Sequence, residues 1–295
     1  MSAAEGETRS RPNLAAADRC DAAQSPPCAA RPRGLARDPQ SSKARITRAS
    51  ARASGMDWTL PLRRKLDRSG VSAAEVDAIA ASVSRVATIE ADRAIVREND
   101  VPVECRFLLD GWTCQYIPLE TDRPQILGLQ LPGDFLDLQG LLRRRMDHVI
   151  ATLTPCRVGV IPHDALRSLM ERHPRIGRMV QLETAVALAT TRRWLLNAGH
   201  RQAYAGMAHL ICELFTRAAA AGLAEAPRFP MPLTQTELGS ALGLTSVHAN
   251  RTGKRLHAAK LISWRCRWLT IEDWKRLTEV AEFDPAYLML EHATP

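Results

Sequence analysis

The 295-residue sequence has no uninterrupted apolar run near the roughly 18 to 20 residues that a membrane-spanning helix needs, so no membrane partner is expected. Its first residues lack the apolar core of a secretory signal, and a cytoplasmic protein is the expectation. Paired metal-ligand spacings, a phosphate-binding glycine loop and a nucleophile motif are all missing, which argues against an enzyme. What is present is ordinary for a globular chain: 45% apolar and 24% charged residues, in a length that holds one large or two ordinary domains.

The formal net charge of +8 is unevenly placed. Residues 1–55 carry ten Lys/Arg against five Asp/Glu, a net of +5, and the other 240 residues carry thirty against twenty-seven, a net of +3. The basic balance is mostly a property of the N-terminal segment and argues only weakly for nucleic-acid binding by the rest. That segment, rich in Ala, Arg, Ser and Pro, has no helical or strand period and reads as a disordered basic tail. A DNA-tracking arm is one alternative. A misassigned start is another, because patterned sequence begins at Met56 in "MDWTLPLRRKL".

Beyond Met56 the pattern is orderly. Ser72 and Glu75 have capping-box spacing, and Val76, Ile79 and Val83 follow on one helical face. From about Val86 to Ile161 short alternating runs broken by turn residues, such as "CRFLLDGWTCQYIPL" and "HVIATLTPCRVGVIP", point to an all-β roll or barrel. Asp110-Gly111 is a two-residue hairpin signal. Used as the turn, it pairs Leu109 with Trp112, Phe107 with Cys114 and Cys105 with Tyr116, and predicts one buried face made of these six. In that register Cys105 and Cys114 are diagonal neighbours about 7 to 8 Å apart, too far for an unstrained disulfide, and read as buried thiols.

A long helical region follows. Ile176, Met179, Leu182, Val186 and Ala189 recur at steps of three and four, an apolar seam that either packs on its own domain or, as favoured here, meets a second copy. After Gly199 the stretch "HRQAYAGMAHLICELFTRAAAAGL" reads as another amphipathic helix. In "LTQTELGSALGLTSVHANRTGKRL", Thr234 and Glu237 form a second capping box, Gly243 ends one short helix and Thr245 caps the next. Two short helices around a Gly-containing turn match a helix-turn-helix. "LISWRC" and "RWLTI" are placed to form a wing hairpin, and "EDWKRLTEVAEF" a last helix.

Taken together, "VPVECRFLLDGW", "LPGDF", "LTQTELGSALGLTSVHANRT" and "LTIEDWKRL…EFDPAYL" resemble the Crp/Fnr family of transcriptional regulators, in the family's order, over about Leu60 to Leu288. The resemblance implies an α+β chain. A β-roll (a double-stranded β-helix of the cyclic-nucleotide-binding type) spans 56–170, a dimerisation helix 171–199 and a winged helix-turn-helix 200–280, with 281–295 as a C-terminal tail. It implies a homodimer that reads a pseudo-palindrome in double-stranded DNA through a recognition helix at 246–260, with RNA polymerase as partner if the protein activates. The seam residues Met179, Leu182, Val186 and Ala189 are then the dimer contacts.

The same resemblance assigns base reading to Ser246, Val247, Asn250 and Arg251, and helical spacing independently puts 247, 250, 251 and 254 on one face. Arg251 suits guanine, whose O6 and N7 its fork takes together. Thr245, His248, Lys254 and Arg255 are the phosphate candidates, which position the helix without specifying sequence. Well-known members have Glu where Val247 stands, so cytosine contact gives way to a methyl contact with thymine.

Effector chemistry is less favoured. The Arg-Ser or Arg-Thr pair that holds a cyclic phosphate in relatives aligns with Met146-Asp147, and Asp repels phosphate, though Arg145 is one position away. Cys20 and Cys28, eight apart, have the wrong spacing for an iron–sulfur cluster. Haem through His148 or His163 stays open, and no cofactor is expected. The alternative function is a small-molecule sensor or scaffold with a degenerate recognition helix. One oddity is Gly253, where relatives commonly carry a large aliphatic residue. Either a cavity is left there, or another element, such as Trp264 or Trp268 of the wing, comes close.

Overall fold

The structure is a computed structural model that describes residues 47–49, 60–66, 70–119 and 124–290. Two four-stranded antiparallel sheets form the N-terminal half. The first has the order β1 (Thr47–Ala49), β2 (Arg85–Ile89), β8 (Cys156–Pro162), β4 (Glu104–Asp110). The second has the order β3 (Ala94–Val96), β7 (Val149–Thr152), β5 (Thr113–Ile117), β6 (Gln125–Gln130). Strand β1 lies inside the segment read as a tail and extends the first sheet by pairing Arg48 with Ala87; the rest of 1–55 lies outside the described residues, as do Cys20 and Cys28.

Between the sheets sit Ala87, Leu108, Leu136, Met146, Ile150, Val158 and Val160. The outer face of the first sheet is covered by α2 (Ala73–Ala81), α3 (His163–Arg172) and the start of α4 (Pro174–Gly199), around Ile79, Phe107, Leu166 and Met179. Helix α2 begins at the Ser72 capping box, with Glu75 N–H donating to Ser72 Oγ (3.3 Å) and Ser72 N–H to Glu75 Oε2 (2.8 Å). It ends at Ala81, so Val83 packs against this cluster from beyond the helix. A short helix α1 (Leu60–Leu66) precedes it.

The Asp110-Gly111 hairpin does not form. Strand β4 pairs with β8 (Phe107 opposite Gly159), whereas β5 pairs with β6 and β7 (Cys114 opposite Leu129 and Ala151). At Gly111 the chain passes from one sheet to the other. Its φ is +88°, and a Cβ there would lie 2.4 Å from the Pro155 carbonyl oxygen, so only glycine passes the Thr154-Pro155 turn. All six residues of the expected face are buried, but in two places. Cys105, Phe107 and Leu109 face α2 and α3, and Trp112, Cys114 and Tyr116 face the C-terminal half.

That half consists of α5 (Ala203–Ala220), β9 (Arg228–Pro230), α6 (Gln235–Leu242), α7 (Ser246–Ala258), β10 (Ile262–Arg265), β11 (Trp268–Ile271) and α8 (Trp274–Ala281). Strands β10 and β11 make the wing, with Arg265 opposite Trp268, and β9 adds a third strand. The apolar core runs unbroken from the outer face of the second sheet into α5, α6, α7 and α8. Residues 281–290, read as a tail, are integral. A 3-10 turn at Pro285–Leu288 buries Leu288, and Tyr287 O–H donates to the buried Glu213 carboxylate at 2.9 Å. None of the described helices is long and apolar enough to cross a membrane.

Candidate nucleic-acid interface and effector cavity

The interface is built from α6 outward. Thr234 caps α6 reciprocally with Glu237, whose N–H donates to Thr234 Oγ1 (3.2 Å) while Thr234 N–H donates to Glu237 Oε2 (2.7 Å). Gly243, in the left-handed region, closes the helix. A Cβ at Gly239 would come 2.7 Å from the Leu244 carbonyl oxygen, so the turn folds back onto α6 only over a glycine. Thr245 then caps α7, accepting His248 N–H at 3.2 Å.

Helix α7 buries Ala249, Thr252 and Leu256 and turns its other face outward. Ser246, Val247, Asn250, Arg251 and Lys254 share one open groove, in which Val247 is 77% exposed. His248 is half-buried and lies outside this set. Thr245 has its oxygen engaged in the cap and only its O–H to offer. Arg255 rests over the Tyr204 ring, 4.9 Å from the centroid. Gln235 and Thr236, at the start of α6, complete the groove, and Gln235 Oε1 has no hydrogen-bond partner among the described residues. The sequence reading missed both because they belong to the other helix; the signal was their place just inside the Thr234 cap.

The Gly253 question resolves against the tryptophans. Thr252 takes the buried position, and among the described residues, apart from its own helix backbone, a Cβ built on Gly253 would meet Met207 Sδ alone within 4 Å, at 3.9 Å.

Of the four seam residues expected on α4, burial removes one, Met179. Met179 is wholly buried against its own roll, since α3 and the first sheet already occupy that side. Leu182, Val186 and Ala189 are half-buried. The large apolar side chains of α4 that point outward are Leu188 (53% exposed), Leu195 one heptad on (72%) and, less so, Leu196 (37%).

A cavity of about 450 Å³ lies where the roll meets α4 and α5. Leu129, Phe135, Leu182 and Val186 give it apolar walls, and Lys65, Asp134, Glu183 and Arg217 form one polar end. There Lys65 contacts Asp134 (2.5 Å) and Glu183 (2.7 Å), while Arg217 contacts Asp134 (2.9 Å) and Glu213 (3.1 Å). Burial alone would raise the Asp134 pKa, but Lys65 and Arg217 outweigh it and hold the carboxyl at about 2.

At the other end Asp147 pairs with Arg143 and with His148, each at 2.8 Å. Burial works against its charge, but His148 and Arg143 prevail and keep the carboxylate anionic. Met146 is buried among the sheets, and Arg145 turns to the Asn99 carbonyl. Asp137, fully buried, accepts from Arg106 N–H and Nη1, each at 2.6 Å. A cyclic phosphate placed here would meet the Asp147 charge and an arginine already paired, and the residues do not fit it. His148 has both ring nitrogens engaged, by Asp147 and Gln139, and His163 Nε2 is buried without a hydrogen-bond partner among the described residues. Cys105, Cys114, Cys156 and Cys212 are buried free thiols whose pKa burial pushes up, in the case of Cys156 to about 12.

A sensor-type β-roll carrying a winged helix-turn-helix, with an outward cationic recognition face, defines a DNA-binding transcriptional regulator. Residues 86–173 match the family model described as a cyclic nucleotide-binding domain, and 207–280 that of a Crp-like helix-turn-helix domain. The chain belongs to the Crp/Fnr family of transcriptional regulators. It is 24% identical over 208 residues to the anaerobic regulatory protein of Pasteurella multocida, covering 70% of this chain and 76% of that one. To the transcriptional activator protein FnrL of Cereibacter sphaeroides it is 28% identical over 170 residues, 56% and 68% of the two chains. Among solved structures, FixK2 from Bradyrhizobium japonicum superposes with a TM-score of 0.60 at 21% identity, covering 66% of this chain and 96% of that one.

Proposed function

We propose that the protein acts as a homodimer on a pseudo-palindromic DNA site, inserting α7 of each protomer into the major groove. The observation that carries this reading is the single open groove holding Ser246, Val247, Asn250, Arg251 and Lys254. Arg251 takes guanine in a bidentate pair, Val247 lies against a thymine methyl, and Asn250 and Ser246 serve adjacent bases. Lys254, His248 and the Thr245 hydroxyl meet phosphates, and Arg255 does so on leaving Tyr204. Leu182, Val186 and Ala189, joined by the outward Leu188 and Leu195 of α4, supply the dimer seam. The buried Met146 and the Arg143-paired Asp147, at the positions that the resemblance gives to the phosphate-holding pair, support an effector other than a cyclic nucleotide. If the protein activates, RNA polymerase is its further partner.

The test is selection of bound fragments from a random DNA pool, followed by anisotropy titration with wild type and Arg251→Ala. The expected result is a pseudo-palindrome with half-sites about 34 Å apart and binding that weakens steeply with salt. Arg251→Ala should cost about 1 to 3 kcal/mol and relax one base position. Equally weak binding to every sequence, indifferent to Arg251, would overturn the reading.

A further inference from the structure

Strand β6 is the last in its sheet, so one edge has no neighbouring strand among the described residues. Two helices of the DNA-binding half bond to that edge. On α6, Ser240 Oγ accepts Ile126 N–H at 3.0 Å and donates to the Pro124 carbonyl oxygen, and the Gln125 side-chain amide donates to the Ser240 carbonyl oxygen. On α5, Arg217 Nη2 donates to the Leu129 carbonyl oxygen at 2.7 Å and to Asp134 at 2.9 Å. Neither residue lies on the recognition groove. From Pro124 to Leu129 the strand covers about 17 Å. The apolar core shared by the two halves is non-directional, and two polar contacts from different helices, that far apart on one strand, add the directional restraint on how the helix-turn-helix is turned.

We propose that Ser240, Gln125 and Arg217 are positioning residues that fix the orientation of α7 relative to α4, and through it the separation at which the two recognition helices of a dimer meet DNA. The groove reads the half-site, and the β6 edge sets the distance between half-sites. This rests on the dimeric DNA-binding reading above.

The experiment uses full-length protein and duplexes built from the selected site. The half-sites are kept, and their separation is lengthened or shortened by one base pair, a change of about 3.4 Å along the axis and about 35° around it. Wild type is expected to lose affinity on the order of tenfold for either altered spacing, the equivalent of a poorly matched second half-site. The Gln125→Ala/Ser240→Ala double variant is expected to reduce that penalty to about threefold or less, while still preferring the correct half-site base at the Arg251 position. Ser240→Thr, which keeps a hydroxyl, should restore the wild-type penalty.

A folded double variant with an undiminished spacing penalty would overturn the proposal, as would equal loss of spacing and base preference. Should the double variant fail to fold, Gln125→Ala alone, which leaves the Ser240 hydroxyl bonds in place, carries the same comparison. Wild type that binds no duplex in a sequence-dependent way would overturn the regulator reading itself. Sequence-dependent binding with a penalty unchanged by the variants overturns only this inference.

Discussion

Met179 and Leu195 lie on the same helix, yet Met179 is wholly buried in its own roll while Leu195 is 72% exposed. Both halves of α4 have a buried face, Met179 in the first and Trp194 in the second, and Leu195 lies on the face that the described residues leave open.

This division predicts opposite outcomes for two similar substitutions. Leu195→Asp should leave the thermal transition of the protomer in place and convert dimer to monomer in sedimentation. Met179→Asp should unfold the roll, because an unpaired charge there has no water and no partner. A Leu195→Asp protein that stays dimeric would place the seam elsewhere.

Val247 offers the sharpest handle on sequence preference. Because its side chain is outward and touches the groove, Val247→Glu should exchange a thymine methyl contact for acceptance from cytosine N4. Selection with the variant should move one symmetric base position from thymine to cytosine, by about 1 to 3 kcal/mol. An unchanged consensus would remove Val247 from the base-reading set.

At Gly253 a methyl group has room, with Met207 Sδ at ordinary contact distance. Gly253→Ala should stabilise the C-terminal half by about 1 kcal/mol through helix propensity alone. Calorimetry would show it as a rise of a few degrees, with DNA affinity unaltered; no rise would mean the helix gains nothing from the methyl.

His209 predicts acid sensitivity. It is buried on α5, with Arg201 Nη1 3.1 Å from Nδ1 and Tyr287 Oη 3.4 Å from Nε2. Burial first and the Arg201 charge second lower its pKa from the usual 6.5 to about 4. The depressed folded value means that its contribution is complete above about pH 6.5 and is lost as pH falls toward 4, in total about 3 kcal/mol. Urea melts at pH 7, 5.5 and 4.5 should trace this loss, and His209→Gln should flatten it. An equal slope in the variant would assign the acid sensitivity to other groups.

Local chemistry was legible in the sequence wherever a residue's neighbours along the chain decide its state. The Ser72–Glu75 and Thr234–Glu237 boxes form because each closes within three residues, and the wing forms where β-prone runs flank a short turn. Alternation also marked Cys105 through Tyr116 as buried. It could not say what covered them, since period two fixes a face but not a partner, and Asp-Gly at a hairpin and at a sheet crossing look alike. Met179 was misplaced for the same reason: a stripe at helical spacing belongs equally to a core and to an interface. Ser240 gave no signal, because a serine on a short helix reads as solvated until a strand edge is found beside it.

That strand edge makes the two halves poor candidates for separate existence. Cutting the gene near Gly199 would look natural from the helix boundary, but it would uncover the Pro124, Ile126 and Leu129 backbone groups together with the apolar flank of Trp112, Cys114 and Tyr116. An isolated roll would then present a sticky edge suited to joining others of its kind. It is expected to precipitate or form ladders of copies, so this regulator should be expressed, stored and engineered as one piece.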